Sequence, residues 1–443
     1  MIRSFPGPRG AQAGGLRAVL QNLGWLLASR GVLAVLSLVY LGIATRTLGI
    51  HDFGRFALIT GAAQGLATLV GFQTWQVVVR YGVDHRTVGD EAALGRLYRA
   101  CMLFDAASAL AGVAIAALVL VGWREKLGIP PTLMRDTLIF TMAQLLTVRS
   151  AATGILRVSD RFAQAAAADS VTPLVRLLGA IAAAMFAQSL HAFLWAWAAA
   201  EIATGAAYWW LLARSGDAAR VWQARLDRRA LLDDNPQFVR FMLSSNLTSS
   251  LGLAAKQLPL LLVGGFAGPA AAGAFRIAVQ LAQGLAKLAQ LIARAAFPEV
   301  VRAVRLTPPG ELAPVLGRMF RASSGAGLVI LAAIVLIGRP LLVLIGGDRA
   351  FAEAYPLLLW LAAAGCIDLA VVAFEPVLLA ANRSATAVAS RGAGIAAQIP
   401  VTLVLLPMIG AAGASIGVFV SSLIGAVFLS ATVVRYARSG APG

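Results

Sequence analysis

Charge is scarce in this chain. Asp, Glu, Lys and Arg make up 13% of its 443 residues, about half the roughly 25% typical of soluble globular domains. So few polar groups cannot cover a water-soluble body of this size, which excludes an ordinary soluble enzyme. The same shortage, set against abundant apolar residues, excludes a disordered chain. Cysteine is rarer still, at 2 residues, and that excludes a disulfide-built scaffold. The 3 His, at positions 51, 85 and 191, fall near loops and make no metal-ligand spacing. No nucleophile–base arrangement or Walker-type phosphate loop is present, so no ATP hydrolysis, resident metal or cofactor is expected. Gly392-Ala393-Gly394 resembles the start of a dinucleotide fingerprint but follows no strand. Asp233-Asp234 echoes an acidic metal pair but lies in a charged linker and reads as solvated surface.

Acidic residues are the minority among the charges, 20 against 37 basic, for a formal net charge of +17. In a soluble chain that imbalance would point to nucleic acid. Here most of the Arg residues sit in short gaps between apolar blocks, where they set topology first and touch the membrane surface second. No nucleic-acid partner is expected.

What is abundant is apolar sequence, 59% of residues. It comes in blocks of about 20 or more, the length a helix needs to cross a hydrocarbon layer of roughly 30 Å. The reading is an all-α integral membrane protein with twelve transmembrane helices, at 22–44, 54–79, 100–122, 137–156, 162–187, 190–213, 241–263, 270–296, 320–345, 354–381, 385–406 and 411–434. With the N-terminus in the cytoplasm, inner segments carry 23 Lys and Arg and outer segments 6. By the positive-inside rule both termini are then cytoplasmic. Residues 1–21 form a cytoplasmic tail rich in Gly, Pro and Arg, and the first span reads as a retained helix, since no convincing cleavage site follows it. Cys101 and Cys366 lie at or within spans and are not expected to pair. Trp25, Trp75, Trp123, Trp209 and Trp210 flank spans as an interface belt. The longest outer gap, 123–136, leaves no room for an extracellular catalytic domain, so a transporter is expected rather than an enzyme.

The chain also contains a duplication. Residues 63–67 and 282–286 both read Ala-Gln-Gly-Leu-Ala, a shift of 219. The same shift brings Gly49 onto Gly268, Gly54 onto Gly273, Phe56 onto Phe275 and Leu69 onto Leu288. At a shift of 222, Gly95 to Ala100 matches Gly317 to Ala322, and Asp160-Arg161 meets Asn382-Arg383. Six spans per unit preserve orientation, so the repeats are parallel. This gives bundles at 22–213 and 241–436 joined by a cytoplasmic linker at 214–240. The linker, with Trp222, Leu226, Leu231 and Leu232 among Arg and Asp, is either a surface-lying amphipathic helix or a solvated connection. A seam between two six-helix bundles suits alternating access.

Ionisable residues within spans are functional candidates by default. The basic ones are Arg30, Arg55, Arg149, Arg176, Lys256, Arg276, Lys287 and Arg391, and the acidic ones Asp105, Asp169, Glu201, Asp368 and Glu375. Arg55 and Arg276 lie near outer ends, where snorkelling is the alternative. Asp105 and Arg391 lie near inner ends. Asp169 and Arg176 fall two turns apart on one face of the fifth helix, and Asp368 and Glu375 likewise on the tenth, so structural ion pairs compete with function. The cationic surplus favours an anionic cargo such as a diphosphate head group, bound by Arg as a planar fork and by Lys as a point charge. Arg30 and Lys256 lead this set, followed by Lys287, with Arg149, Arg176, Arg55 and Arg276 behind them. The carboxylates Asp169, Glu201, Asp368 and Glu375 are candidates for coupling to H+ or Na+. Pro173, Pro259, Pro376 and Pro400 interrupt spans, as bending points or as static kinks.

Arg46-Thr47-Leu48-Gly49 with Phe53-Gly54-Arg55-Phe56 resembles the junction of the first two helices in bacterial polysaccharide-biosynthesis membrane proteins. Gly268 to Phe275, with Ile277-Ala278 and Gln280-Leu281, resembles its second-half counterpart. With the six-plus-six layout, the chain is similar to oligosaccharide flippases of the polysaccharide transporter family, within the multidrug/oligosaccharidyl-lipid/polysaccharide exporter superfamily. The resemblance implies a MATE-like fold and movement of an undecaprenyl-diphosphate-linked oligosaccharide from the inner to the outer leaflet of the bacterial cytoplasmic membrane. It also implies membrane lipid, a polysaccharide polymerase and export proteins as partners. It sets Arg30 and Lys256 on the first helices of the two bundles, where a cavity lining is expected. A multidrug/cation antiporter of the same fold is the alternative; it expects an acidic seam, and the first span holds no carboxylate. An integral-membrane glycosyltransferase, polymerase or ligase expects sizeable outer loops, which are absent.

Overall fold

The computed structural model describes residues 12–122, 130–306, 312–380 and 384–439, and within them the side chains of 12–35, of 285–313 and of scattered single positions are not described. Among the described residues the fold is helical, with no strand. A lipid-embedded backbone has no water to bond to, so it satisfies its own N–H and C=O groups within helices. Nine helical stretches among the described residues are long and apolar enough to cross a bilayer. This is a multi-pass membrane protein.

The expected first two spans form one assigned helix, α1 (Gln12–Val70), turned sharply at Gly49 (φ 70°, ψ 174°). The seventh and eighth form α10 (Phe238–Leu306), turned the same way at Gly268 (φ 84°, ψ 175°). Only glycine occupies that region of backbone space without strain. The 219-residue shift therefore pairs two glycines of one unusual conformation.

The two turned helices cross where the same shift also pairs residues. A Cβ on Gly54 would lie 1.7 Å from the Pro269 carbonyl oxygen, and one on Gly273 would lie 2.5 Å from the Ile50 carbonyl oxygen. Gly54 corresponds to Gly273 and Ile50 to Pro269, so each contact is the other's image, as at a two-fold axis. Around this crossing packs the largest core. It joins Phe53, Phe56, Phe193 and Trp197 to Phe275, Phe351 and Leu358. Phe56 meets Trp197 edge to face, with ring centroids 5.0 Å apart.

The helices α6 (Phe162–Phe186) and α7 (Leu190–Ser215) fill the expected fifth and sixth spans. α3 (Glu91–Gly122) starts two turns before the expected third. α11 (Leu312–Gly346), α14 (Ser384–Ile409) and α15 (Ala411–Ser439) fill the ninth, eleventh and twelfth. Three expected spans are not continuous. The second breaks at 71–73 before α2 (Thr74–Val88). There the Gly71 N–H closes on the Ala67 carbonyl at 3.0 Å, while a Cβ on Gly71 would sit 2.4 Å from that oxygen. The fourth divides into α4 (Pro131–Leu146) and α5 (Ser150–Val158). The tenth divides into α12 (Tyr355–Ala370) and α13 (Phe374–Ala380). The last break corrects one expectation. Asp368 and Glu375 lie on different helices, because Pro376 has no N–H to carry the ladder back across 371–373 and sits instead in a first turn, where none is needed.

Buried polar groups at the joints are satisfied in pairs. Asp105 accepts from Thr74 Oγ1 at 2.7 Å and from the Ala151 N–H at 2.8 Å, tying the starts of α2 and α5 to α3. Pro259 leaves the Ala255 carbonyl without its helical donor, and Gln398 Nε2 of α14 donates to it at 3.1 Å. This is the compensation that a proline inside a membrane helix requires.

The linker folds as two short helices, α8 (Asp217–Gln223) and α9 (Arg228–Asp234), docked on the N-terminal half. Val221 and Leu231 are buried, whereas Trp222, Leu226 and Leu232 are exposed. Arg99 donates to the carbonyls of Trp222 and Ala224, and Arg220 pairs with Glu91 at 3.0 Å. Asp234 was expected as solvated surface; the structure corrects this, pairing it with Arg96 at 2.6 Å.

A cationic cleft between the two turned helices

Beside the glycine crossing lies a narrow cleft of about 40 Å³. After the Gly49 turn, α1 presents Phe53, Phe56, Ala57, Thr60 and Gln64 to it, positions spaced by three or four and therefore on one helical face. Before the turn it contributes Tyr40. α4 adds Phe140 and Gln144, one turn apart, and α10 adds Arg276 and Gln280, one turn apart. Arg176 of α6 and Trp197 of α7 complete the wall. The lining combines flat aromatic faces, three amide side chains and two guanidinium groups from different halves of the chain. Aromatic faces suit sugar rings or apolar cations, amides suit hydroxyls, and guanidinium groups suit phosphate oxygens.

The antiparallel pair α6 and α7 carries a polar ladder behind this wall. Tyr208 Oη donates to Asp169 Oδ1 at 2.6 Å, the Thr172 and Thr204 hydroxyls meet at 2.6 Å, and Arg176 Nη2 donates to Glu201 Oε1 at 2.7 Å. Asp169, Thr172 and Arg176 share one face of α6, and Glu201, Thr204 and Tyr208 share one face of α7. Glu201 is 2% exposed. Its second oxygen lies 3.5 Å from Arg149 Nη2, which stands where α4 breaks into α5. Arg176 also sits 5.5 Å from the Trp197 ring centroid. Arg276 forms no ion pair with any carboxylate among the described residues.

Of the residues singled out from the sequence, the structure thus gathers Arg149, Arg176, Glu201 and Asp169 in one network and sets Arg276 on the cleft with Arg176. The one-face spacing of Asp169 and Arg176 is present, but each finds its partner across α7 rather than in the other. Arg55 is not on the cleft; it pairs with Asp52 at 3.1 Å, one turn away. Lys256 is exposed and off the cleft. Asp368 bonds Ser422, and Glu375 pairs with Arg391 at 2.7 Å. The side chains of Arg30 and Lys287 lie outside the described residues. Sequence reasoning passed over Gln64, Gln144 and Gln280, although an amide inside an apolar span is itself a signal, and passed over the aromatic walls, which look like any core. It also missed a knot between the N-terminal turns of α4 and α7, where Asp136 accepts from Trp195 Nε1 at 3.2 Å and contacts His191 Nδ1. Among the described residues no group of three or more His, Cys, Asp or Glu gathers to hold a metal ion.

The family described as "Polysaccharide biosynthesis protein" matches residues 19–304. Inner membrane protein YghQ of Escherichia coli (strain K12) is 28% identical over 355 residues, which covers 78% of this chain and 97% of that protein. Among solved structures, the lipid II flippase MurJ in an inward closed conformation superposes with a TM-score of 0.73 at 9% identity, covering 92% of this chain and 87% of that one. An inward-facing multidrug resistance MATE family transporter of the MOP superfamily superposes with a TM-score of 0.63 at 13% identity, covering 93% of this chain and all of the other. At these identities the likeness concerns the fold, which is MATE-like.

Proposed function

The chain belongs to the polysaccharide biosynthesis protein family, and from that premise we propose that it is a flippase for an undecaprenyl-diphosphate-linked oligosaccharide in the bacterial inner membrane. The observation that carries this reading is the cleft, which brings Arg176 of one half and Arg276 of the other to a single opening walled by aromatic rings and glutamines. A diphosphate loses its hydration on entering such a place and needs fixed cations to offset the loss. Sugars next to it meet ring faces and amides. The polyprenyl tail stays in the surrounding lipid and never needs to enter. The lipid II flippase among the fold neighbours supports the choice of cargo class.

The architecture proposed with it is twelve spans in two parallel six-helix bundles, 22–213 and 241–436, with both termini in the cytoplasm. The matched turns at Gly49 and Gly268 and the reciprocal Gly54–Gly273 contact support the duplication. Alternating access then consists of the two bundles rocking about their crossing. Arg30, Lys256 and Lys287, which led the reading from sequence, become secondary phosphate partners along the path in this proposal, and Asp368 and Glu375 remain candidates for H+ or Na+ coupling. A polysaccharide polymerase and export proteins are the expected downstream partners. A multidrug/cation antiporter is less well supported, because the carboxylate nearest the cleft, Glu201, is already faced by two guanidinium groups.

The test is complementation of a flippase-deficient strain. Arg176→Ala and Arg276→Ala should each reduce surface glycan by about tenfold or more, the loss of a charge-assisted phosphate contact, with membrane levels of the protein unchanged. Wild-type glycan in the double variant removes the cleft as the cargo site. Resistance to cationic drugs conferred by the wild-type chain, without complementation, favours the antiporter.

A further inference from the structure

We propose that Glu201 is the resident counter-ion of the cleft, a carboxylate that holds Arg176 while the cleft is empty and yields that guanidinium to a phosphate group of the cargo. This rests on the reading of the cleft as a diphosphate site.

Position comes first. Arg176 lines the cleft; Glu201 does not, and reaches Arg176 from behind, along α7. A cargo oxygen arriving from the opening therefore approaches the guanidinium from the side that the carboxylate leaves uncovered.

Stoichiometry comes second. Two guanidinium groups, Arg149 and Arg176, face the one carboxylate Glu201, and Arg276 stands on the same cleft as Arg176 with no carboxylate partner among the described residues. The pairing is also unsaturated: Arg176 Nε is buried without a hydrogen-bond partner, and Glu201 Oε2 has none either, standing 3.5 Å from Arg149 Nη2. A purely structural ion pair this well buried would be expected to use those atoms, since an unmet buried polar group destabilises the fold. A site that must exchange one anion for another is expected to leave them open.

Exchange also needs the carboxylate to have somewhere to go. Arg149 supplies it. Standing in the break between α4 and α5, it is the second cation within reach of Glu201, so that a released carboxylate is not left bare in an apolar wall. Nor does release undo the helix pair, because two further rungs, Thr172–Thr204 and Asp169–Tyr208, keep α6 and α7 in register. The Thr and Tyr rungs brace the pair; the Arg176–Glu201 rung is the one that can open.

The test uses the full-length protein in nanodiscs and farnesyl diphosphate as the probe, with binding followed by calorimetry. Glu201→Gln keeps the shape and the hydrogen bond but removes the competing charge, and should bind the probe about tenfold more tightly, the order expected for one charge-assisted contact. In the Arg176→Ala background that gain should shrink to less than about threefold. If Glu201→Gln does not accumulate, Glu201→Asp draws the carboxylate back by one methylene and should change affinity in the same direction. Equal or weaker binding by the Glu201 variants, with Arg276→Ala still lowering affinity, overturns the counter-ion role and leaves the cleft reading standing. Unchanged binding in both Arg176→Ala and Arg276→Ala overturns the cleft reading, and this inference with it.

Discussion

A guanidinium set in an apolar wall with no carboxylate beside it works against the stability of the fold, because its desolvation is not fully offset. Among the described residues Arg276 is in that position, and replacement should expose the conflict. Arg276→Leu is expected to raise the unfolding midpoint of the detergent-solubilised protein by about 2–4 °C while abolishing complementation. A lower midpoint would mean that Arg276 braces the fold. Asp105 predicts the reverse. Asp105→Ala leaves Thr74 Oγ1 and the Ala151 N–H without their acceptor, at a cost of about 1–3 kcal/mol for each group. Membrane accumulation and thermal midpoint should both fall, with no selective effect on binding of a diphosphate probe. Both residues were visible in the sequence as charges inside spans. Their opposite roles were not, since a role depends on what a neighbouring helix brings. Depth alone ranked Arg276 low and Lys256 high, but the cleft lies beside the Gly268 turn of α10, where a residue two turns past Gly268 is well placed and one three turns before it is not.

At the scale of elements, glycine and proline carried most of the readable signal. The 219-residue shift aligned Gly49 with Gly268 and Gly54 with Gly273 before any geometry was known, and these are the two turns and the crossing. The breaks at 147–149 and 371–373 were hidden, because an apolar run reads the same whether its helix is continuous or interrupted. Two variants test the joints. Gly54→Ala places a methyl group against the Pro269 carbonyl and should sharply reduce the folded protein recovered from membranes; normal recovery with normal complementation would mean that the helices part there without cost. Gln398→Ala orphans the Ala255 carbonyl and should lower the unfolding midpoint by a few degrees, an effect of about 1–2 kcal/mol.

For the whole molecule, orientation is the property that the sequence expressed most clearly and that packing does not address. The orientation expected follows from where basic residues fall relative to spans, 23 against 6, and the physical agent is the membrane rather than any contact within the chain. Single cysteines placed at Val88 and at Asp348, in a chain with Cys101 and Cys366 replaced by Ser, should behave oppositely toward a membrane-impermeant maleimide in intact cells. The Asp348→Cys variant is expected to label and the Val88→Cys variant to label only after lysis. The reversed pattern would invert the topology and place the cleft at the opposite leaflet.

The glycine crossing also limits where this seam can be adjusted. Because only main-chain atoms meet at Gly54 and Gly273, no larger side chain can tighten the rivet; every substitution there pries it apart. Adjustment is left to the flanks, where Leu58 rests against Gly264 and Leu260 against Gly61. A randomised library across the two helices should therefore return graded phenotypes from the leucines and all-or-nothing phenotypes from the pivot.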